Sequence, residues 1–176
     1  MKKITIIFAA LALSISARAF TPFPINNETL LTLLGTSRPA GLSIETSNKE
    51  VSAAFKTKFR DAVKVEWKKV ENFYFAYFEL NKRQYSVAYS ADAEMIAISR
   101  ELPVEQLPLA VTTRLQERFE GYKVSPTVTE IVIDSLTNYY LTLENDTRIL
   151  KIKCSAEGYV SIEKKTKKKI LVGSVS

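Results

Sequence analysis

The chain repeats itself, and the repeat restricts its architecture more than any other feature of its 176 residues. Val51, Phe55 and Phe59 return as Val111, Leu115 and Phe119 at a constant offset of 60. Lys64-Val65 is echoed by Lys123-Val124. Tyr74, Ala76 and Phe78 return as Tyr139, Leu141 and Leu143, and Tyr89-Ser90-Ala91-Asp92-Ala93 returns as Cys154-Ser155-Ala156-Glu157-Gly158, both at an offset of 65. The change of offset places an insertion of about five residues in the second copy, around Pro126 to Leu136. Self-similarity at fixed spacing is the signature of a supersecondary unit used twice.

Each copy reads as one helix followed by strands. Ser47-Asn48-Lys49-Glu50 fits a capping box with Ser47 as N-cap. Val51, Phe55, Phe59 and Ala62 then put one apolar stripe on a helix of about four turns. Pro108 suits the first turn of the second helix. Val63, Val65 and Trp67 alternate with charged residues, Phe73 to Leu80 is an aromatic run, and Tyr85, Val87 and Tyr89 alternate again before Met95 to Ser99. The expected fold class is α+β, two tandem α-β4 repeats with both helices packed on one face of an antiparallel sheet. The repeats run over 47–102 and 103–165, after an irregular lead over 20–46 and before a basic and apolar tail over 166–176. Within the lead, Leu30, Leu31, Leu33 and Leu34 form one short apolar element that packs on the domain, unless the lead is disordered.

Residues 1–19 read as a signal peptide. Lys2 and Lys3 precede an apolar run from Ile4 to Ile15, and Ala17-Arg18-Ala19 fits the small-x-small cleavage rule. The expected location is the periplasm or the outside of the cell. The residue directly after the cleavage point is Phe20 and not cysteine, which disfavours a lipid anchor, and no second long apolar run offers a transmembrane segment in the mature chain. The formal charge of +6 loses Lys2, Lys3 and Arg18 with the signal, which weakens the case for a nucleic-acid partner.

Side-chain chemistry narrows function further. There is no histidine, and Cys154 is the single cysteine. That removes His-based triads, imidazole ligands and CxxC sites. The five glycines form no phosphate-cradling loop. Glu117 and Glu120 ride a helix beside Arg114 and Arg118, the pattern of solvated ion pairs. Asp92, Glu94, Glu144 and Asp146 sit at turns without calcium-loop spacing. The expectation is a protein that is not an enzyme, with no cofactor and no metal site. Trp67 shares a strand face with Val65 and reads as core. Cys154 reads as a buried, inert thiol, with intermolecular pairing as the alternative. Lys164 to Lys169 concentrates five lysines, read as a solvated edge strand or frayed tail, with contact to anionic lipid or polysaccharide as the other reading.

The helix with Val-x-x-x-Phe-x-x-x-Phe, the Val65-x-Trp67 strand, the aromatic strand of Tyr74, Ala76 and Phe78, and the turns at Asn81 and Asp92 resemble the beta-lactamase-inhibitor-like, PepSY-like family of exported bacterial proteins. The resemblance covers roughly Lys49 to Lys165. Lys82 and Ala93 stand where the family has glycine, and Gly158 restores that glycine in the second copy. The resemblance implies a fold and no catalytic residue. It also implies a periplasmic or secreted module that grips a partner on a concave sheet.

The residues themselves point to the same face. If Tyr74, Ala76 and Phe78 turn toward the helix, alternation sends Phe73, Phe75 and Tyr77 to the other side, with Tyr140 at the matching place in copy two. These four are the candidate partner-binding residues, their rings displacing water while nearby Lys or Arg residues steer an acidic protein or peptide of the cell envelope. Two alternatives stay open: the rings are covered by the Leu30–Leu34 segment, the other repeat or a second subunit, or the register is inverted by one residue. Binding of a small molecule or envelope polymer, or a structural role in the envelope, is the alternative function.

Overall fold

The computed structural model describes residues 27–35 and 39–168. The signal peptide, the cleavage point and Ile170 to Val172 lie outside the described residues. The first element is α1 (Asn27–Leu34), a helix within the stretch expected to be an irregular lead. Then come α2 (Lys49–Lys58), β1 (Val63–Val70), β2 (Phe73–Leu80), β3 (Arg83–Tyr89) and β4 (Met95–Pro103). A single 3₁₀ turn over Val104–Gln106 leads to α3 (Leu109–Arg118). β5 (Lys123–Val124), β6 (Thr127–Ile133), β7 (Leu136–Glu144), β8 (Arg148–Ser155) and β9 (Val160–Lys167) follow.

The strands form one antiparallel sheet in the order β1-β2-β3-β4-β6-β7-β8-β9, with β5 pairing with β7 off that path. The second unit therefore has five strands where four were expected. The counterpart of β1 is divided at the place of its bulge: β5 and then β6 pair with β7 as β1 pairs with β2, and β6 also pairs with β4, which makes the two halves continuous.

The first helix boundary also moves. The N-cap is Asn48, not Ser47, and its Oδ1 accepts from the Glu50 and Val51 amides at 3.0 and 3.1 Å. An Asn one residue later offers the same acceptor to the same orphan donors. Both helices are ten residues long, just under three turns and shorter than the apolar stripe suggested. Phe59 and Phe119 lie past the last turn, each donating its amide back to Phe55 O or Leu115 O.

α2 and α3 pack on the same sheet face. Val51, Phe55 and Phe59 meet Trp67, Tyr74, Ala76, Phe78, Val87 and Tyr89 in one core. Phe55 sits edge-on to Trp67 and Phe78, with ring centroids 5.1 and 5.0 Å apart. Val111, Leu115 and Phe119 meet Tyr139, Leu141, Leu143, Leu150, Ile152 and Cys154 in the other. Trp67 is thus core, as its place beside Val65 implied. Cys154 is fully buried and burial pushes its thiol pKa up, so the thiolate needed for exchange is disfavoured. Arg114 pairs with Glu117 at 3.1 Å, an exposed surface ion pair.

Turn bonds recur at matching places. Ser90 N donates to Glu94 O and Ser155 N to Tyr159 O, each at 2.9 Å. The Ser90 and Ser155 hydroxyls each accept from the amide four residues on.

Candidate functional site

The face opposite α2 and α3 is built by the alternation expected of β2. Tyr74, Ala76 and Phe78 enter the α2 core, and Phe73, Phe75 and Tyr77 turn the other way. The inverted register is therefore excluded. The next two strands present small side chains on this face: Ser86 and Ala88 on β3, Ala97 and Ser99 on β4. Beyond them β6 raises Ile131 and Ile133, and β7 raises Tyr140. The result is a trough with a floor of Ser and Ala and walls of aromatic and branched side chains. Its walls, β2 and β6, stand three strand spacings apart, about 14 Å. An α-helix with side chains is about 10–12 Å across. The trough has the width of one helix.

One helix fills it. α1 buries Leu30, Leu33 and Leu34 against Phe73, Phe75, Tyr77, Ala88, Ile96, Ala97 and Ile131. The end of α1 is tied down by two side chains. The Tyr77 hydroxyl donates to Leu33 O at 2.7 Å, and the Ser86 hydroxyl donates to Leu34 O at 3.0 Å. Both bonds satisfy carbonyls that a helix C-terminus leaves without an intrahelical partner.

The expectation of an open aromatic face is thereby corrected. Phe73, Phe75 and Tyr77 are together, as alternation required, but they are 6%, 0% and 5% exposed. The covering by the Leu30–Leu34 segment is the alternative that the structure adopts. The physical reason is area: large contiguous apolar patches are rarely left to water on a monomer. Tyr140 is across the trough from those rings and half-buried at its border. Burial, with Glu163 nearby, pushes its pKa up to about 12. Burial also raises the Tyr77 pKa.

The rest of this face is not covered by α1. Lys153 lies opposite Tyr140, and Lys151 lies opposite Thr142. Beyond them, at the β8–β9 turn, Lys153 lines one open cleft with Tyr159 and Ser161, and Arg114 and Arg118 reach the same cleft from α3 on the other side of the sheet. Arg118 donates to Val160 O at 3.0 Å there. The face is therefore apolar and covered on one half, polar and basic on the other, with Tyr140 at the seam.

Sequence reasoning missed the trough's floor. Ser86-x-Ala88 and Ala97-x-Ser99 place small residues at alternate positions of two neighbouring strands, a signal visible in the sequence once the strands are paired. Among the described residues no group of three or more Cys, Asp and Glu side chains could hold a metal ion. Among the same residues no helix is long and apolar enough to cross a membrane.

No family model matches the chain, and no curated protein matches it. Solved structures do. A BLIP-like protein from Bacteroides fragilis superposes with a TM-score of 0.59 at 20% identity, over 74% of this chain and 94% of its own. A DUF2874 family protein from Bacteroides uniformis gives 0.59 at 19% identity, over 69% and 90%. A protein from Bacteroides eggerthii, named as periplasmic, gives 0.59 at 17% identity, over 70% and 90%. The chain thus has the fold of BLIP-like and DUF2874 proteins, the fold that the resemblance of its strand and turn motifs implies.

Proposed function

We propose that this protein is an exported, non-catalytic module, built of two tandem α-β units, that binds a protein or peptide of the periplasm or cell exterior through the sheet face opposite α2 and α3. The observation that carries this reading is the trough. It is a helix-wide groove walled by Phe73, Phe75, Tyr77 and Tyr140, and its occupant is a short helix whose last two carbonyls are held by the Tyr77 and Ser86 hydroxyls. An eight-residue helix has little stability of its own. A partner with a matching apolar helix or loop takes the place of α1 and meets the same rings. The fold shared with a BLIP-like protein supports this inhibitor-like mode by analogy, and the analogy is one of architecture. No cofactor or metal enters the reading.

The test separates the trough from the rest of the surface. Leu30→Lys with Leu34→Lys expels α1 while leaving the sheet intact, which circular dichroism verifies. The expelled variant is expected to inhibit a β-lactamase or envelope protease, or to retain a discrete envelope protein, more strongly than the parent. Adding Tyr140→Ala is expected to weaken that gain. A folded variant with α1 expelled that engages nothing beyond what the parent engages sinks the proposal.

A further inference from the structure

The far edge of the sheet carries a charge pattern that folding alone does not explain. β9 is an edge strand, and seven of its eight residues are exposed. Its register with β8 sets Lys151 opposite Lys164 and Arg148 opposite Lys167. Like charges directly opposite on neighbouring strands are destabilising. No ion pair among the described residues relieves Lys151, Lys164, Lys165 or Lys167; Lys168 alone reaches a carboxylate, Glu144 at 3.1 Å. Residues 148–168 hold seven basic side chains against Glu157 and Glu163, whereas the remainder of the chain after Ala19 has more acids than bases. Keeping an edge from pairing with another copy takes a charge on that edge. It does not take a second lysine on the inner strand set against the first.

Among the described residues no strand pairs with the outer side of β9. Lys168 N donates inward to Thr147 O at 2.8 Å. Alternation along an antiparallel strand then turns the N–H and C=O groups of Lys167 and Lys165 outward. At the opposite edge of the sheet, β1 is already engaged by the lead, which exchanges two bonds between Ser43 and Trp67 at 2.7 and 2.9 Å.

We infer that β9 takes an acidic, extended peptide segment as one more strand of the sheet. The outward N–H and C=O groups supply the ladder, and Lys165 and Lys167, two residues apart on one face, select carboxylates at alternate positions of the incoming strand. Lys164 and Lys151 present the same preference on the other face. A second copy of β9 is rejected by the same lysines. This surface is distinct from the trough, so the inference stands or falls separately from the proposed function.

The probe is a synthetic peptide alternating glutamate with threonine, titrated calorimetrically into the full mature chain. Controls are a peptide of the same composition with its glutamates in one block, and anionic phosphatidylglycerol vesicles. The alternating peptide is expected to bind, and Lys165→Gln and Lys167→Gln each to weaken it roughly fivefold, the scale of one exposed ion pair. Lys167→Pro removes the same charge and also an outward N–H, a change an edge strand tolerates. It is expected to weaken binding about tenfold beyond Lys167→Gln. Hydrogen exchange on the unmodified chain gives a second readout: the Lys165 and Lys167 amides gain protection when the peptide is added. No binding, equal affinity for the block peptide or the vesicles, equal affinity of the Pro and Gln variants, or unprotected amides each overturns strand addition.

Discussion

Arg100 and Glu130 grip each other across the joint between the two halves of the sheet, Nε to Oε1 at 2.7 Å and the outer nitrogen to Oε2 at 3.2 Å. They are direct partners in the β4–β6 register, the pairing that joins the two α-β units. Tyr85 neighbours Arg100 from one unit and Tyr139 neighbours Glu130 from the other. Burial, and then the nearby Glu130, raise the Tyr139 pKa. The pair therefore stands between two aromatic side chains where the two cores meet.

Its bidentate geometry is worth more than an exposed pair and less than a sealed one, since the Arg100 side chain is 37% and the Glu130 side chain 14% exposed. A double-mutant cycle with Arg100→Met and Glu130→Gln is expected to give a coupling of about 1.5 kcal/mol in urea unfolding. Arg100→Met alone is expected to cost more than Glu130→Gln alone, because it leaves the more buried carboxylate unpaired. A coupling near zero would mean that the joint rests on the backbone ladder and not on this clasp.

The α1 latch gives a local effect in place of a global one. Tyr77→Phe and Ser86→Ala each remove one bond to the end of the helix, worth about 1 kcal/mol. Hydrogen exchange of the α1 amides is expected to speed up roughly fivefold per variant, while amides of β7 and β8 keep their rates. If both regions accelerate together, α1 is an integral part of the global fold and not a detachable occupant.

How far the sequence could be read depended on where its signals sit. Helix stripes and strand alternation are local, so Val51, Phe55 and Phe59 and the two faces of β2 were legible without a structure. The covering of Phe75 by Leu30 and Leu34 was not, because it depends on a contact across more than forty residues in a segment broken by Pro39 and Gly41. The insertion around Pro126 was legible as extra length. That β6 fuses the halves depends on its pairing with β4, which no local period encodes. The lysines of β9 were legible as a charge run. Their opposition to Lys151 and Arg148 required the register.

The departures from glycine at two turns supply a matched comparison. Ala93 and Gly158 occupy equivalent turn positions, with φ of 60° and 89°. Ala93 sits in a left-handed conformation that costs an L-residue about 1 kcal/mol. Ala93→Gly is expected to stabilise the protein by about 0.5 kcal/mol after the added freedom of the unfolded chain is subtracted. Gly158→Ala is expected to cost about 2 kcal/mol, because its Cβ would also lie 2.8 Å from the Ala110 carbonyl oxygen at the start of α3. The first unit ties the same turn differently, through Asn48 Nδ2 donating to Ala91 O at 2.9 Å. Thermal melts of the two variants check the pair of opposite signs, and a destabilised Ala93→Gly would show that the Ala93 methyl contributes packing that outweighs its backbone cost.

Alkaline stability tests the buried tyrosines directly. Burial pushes Tyr89 and Tyr140 up to about 12, and Tyr77 rises further. In the unfolded chain each titrates near the ordinary tyrosine value of 10.0. Between these values the unfolded state binds fewer protons than the folded state, so stability is fully present below about pH 10 and falls as pH rises toward about 12. Each such tyrosine contributes a slope of up to about 1.4 kcal/mol per pH unit in that window. Tyr140→Phe is expected to remove one share of the slope and leave stability at neutral pH nearly unchanged. Tyr89→Phe is expected to remove another share and also to raise neutral stability by about 1 kcal/mol, because the buried Tyr89 hydroxyl finds no hydrogen-bond partner among the described residues. Urea unfolding across the alkaline range, with tyrosinate absorbance followed in parallel, measures both. An unchanged slope in the double variant would assign the alkaline transition to Tyr77 and the release of α1, whose last carbonyls that hydroxyl secures.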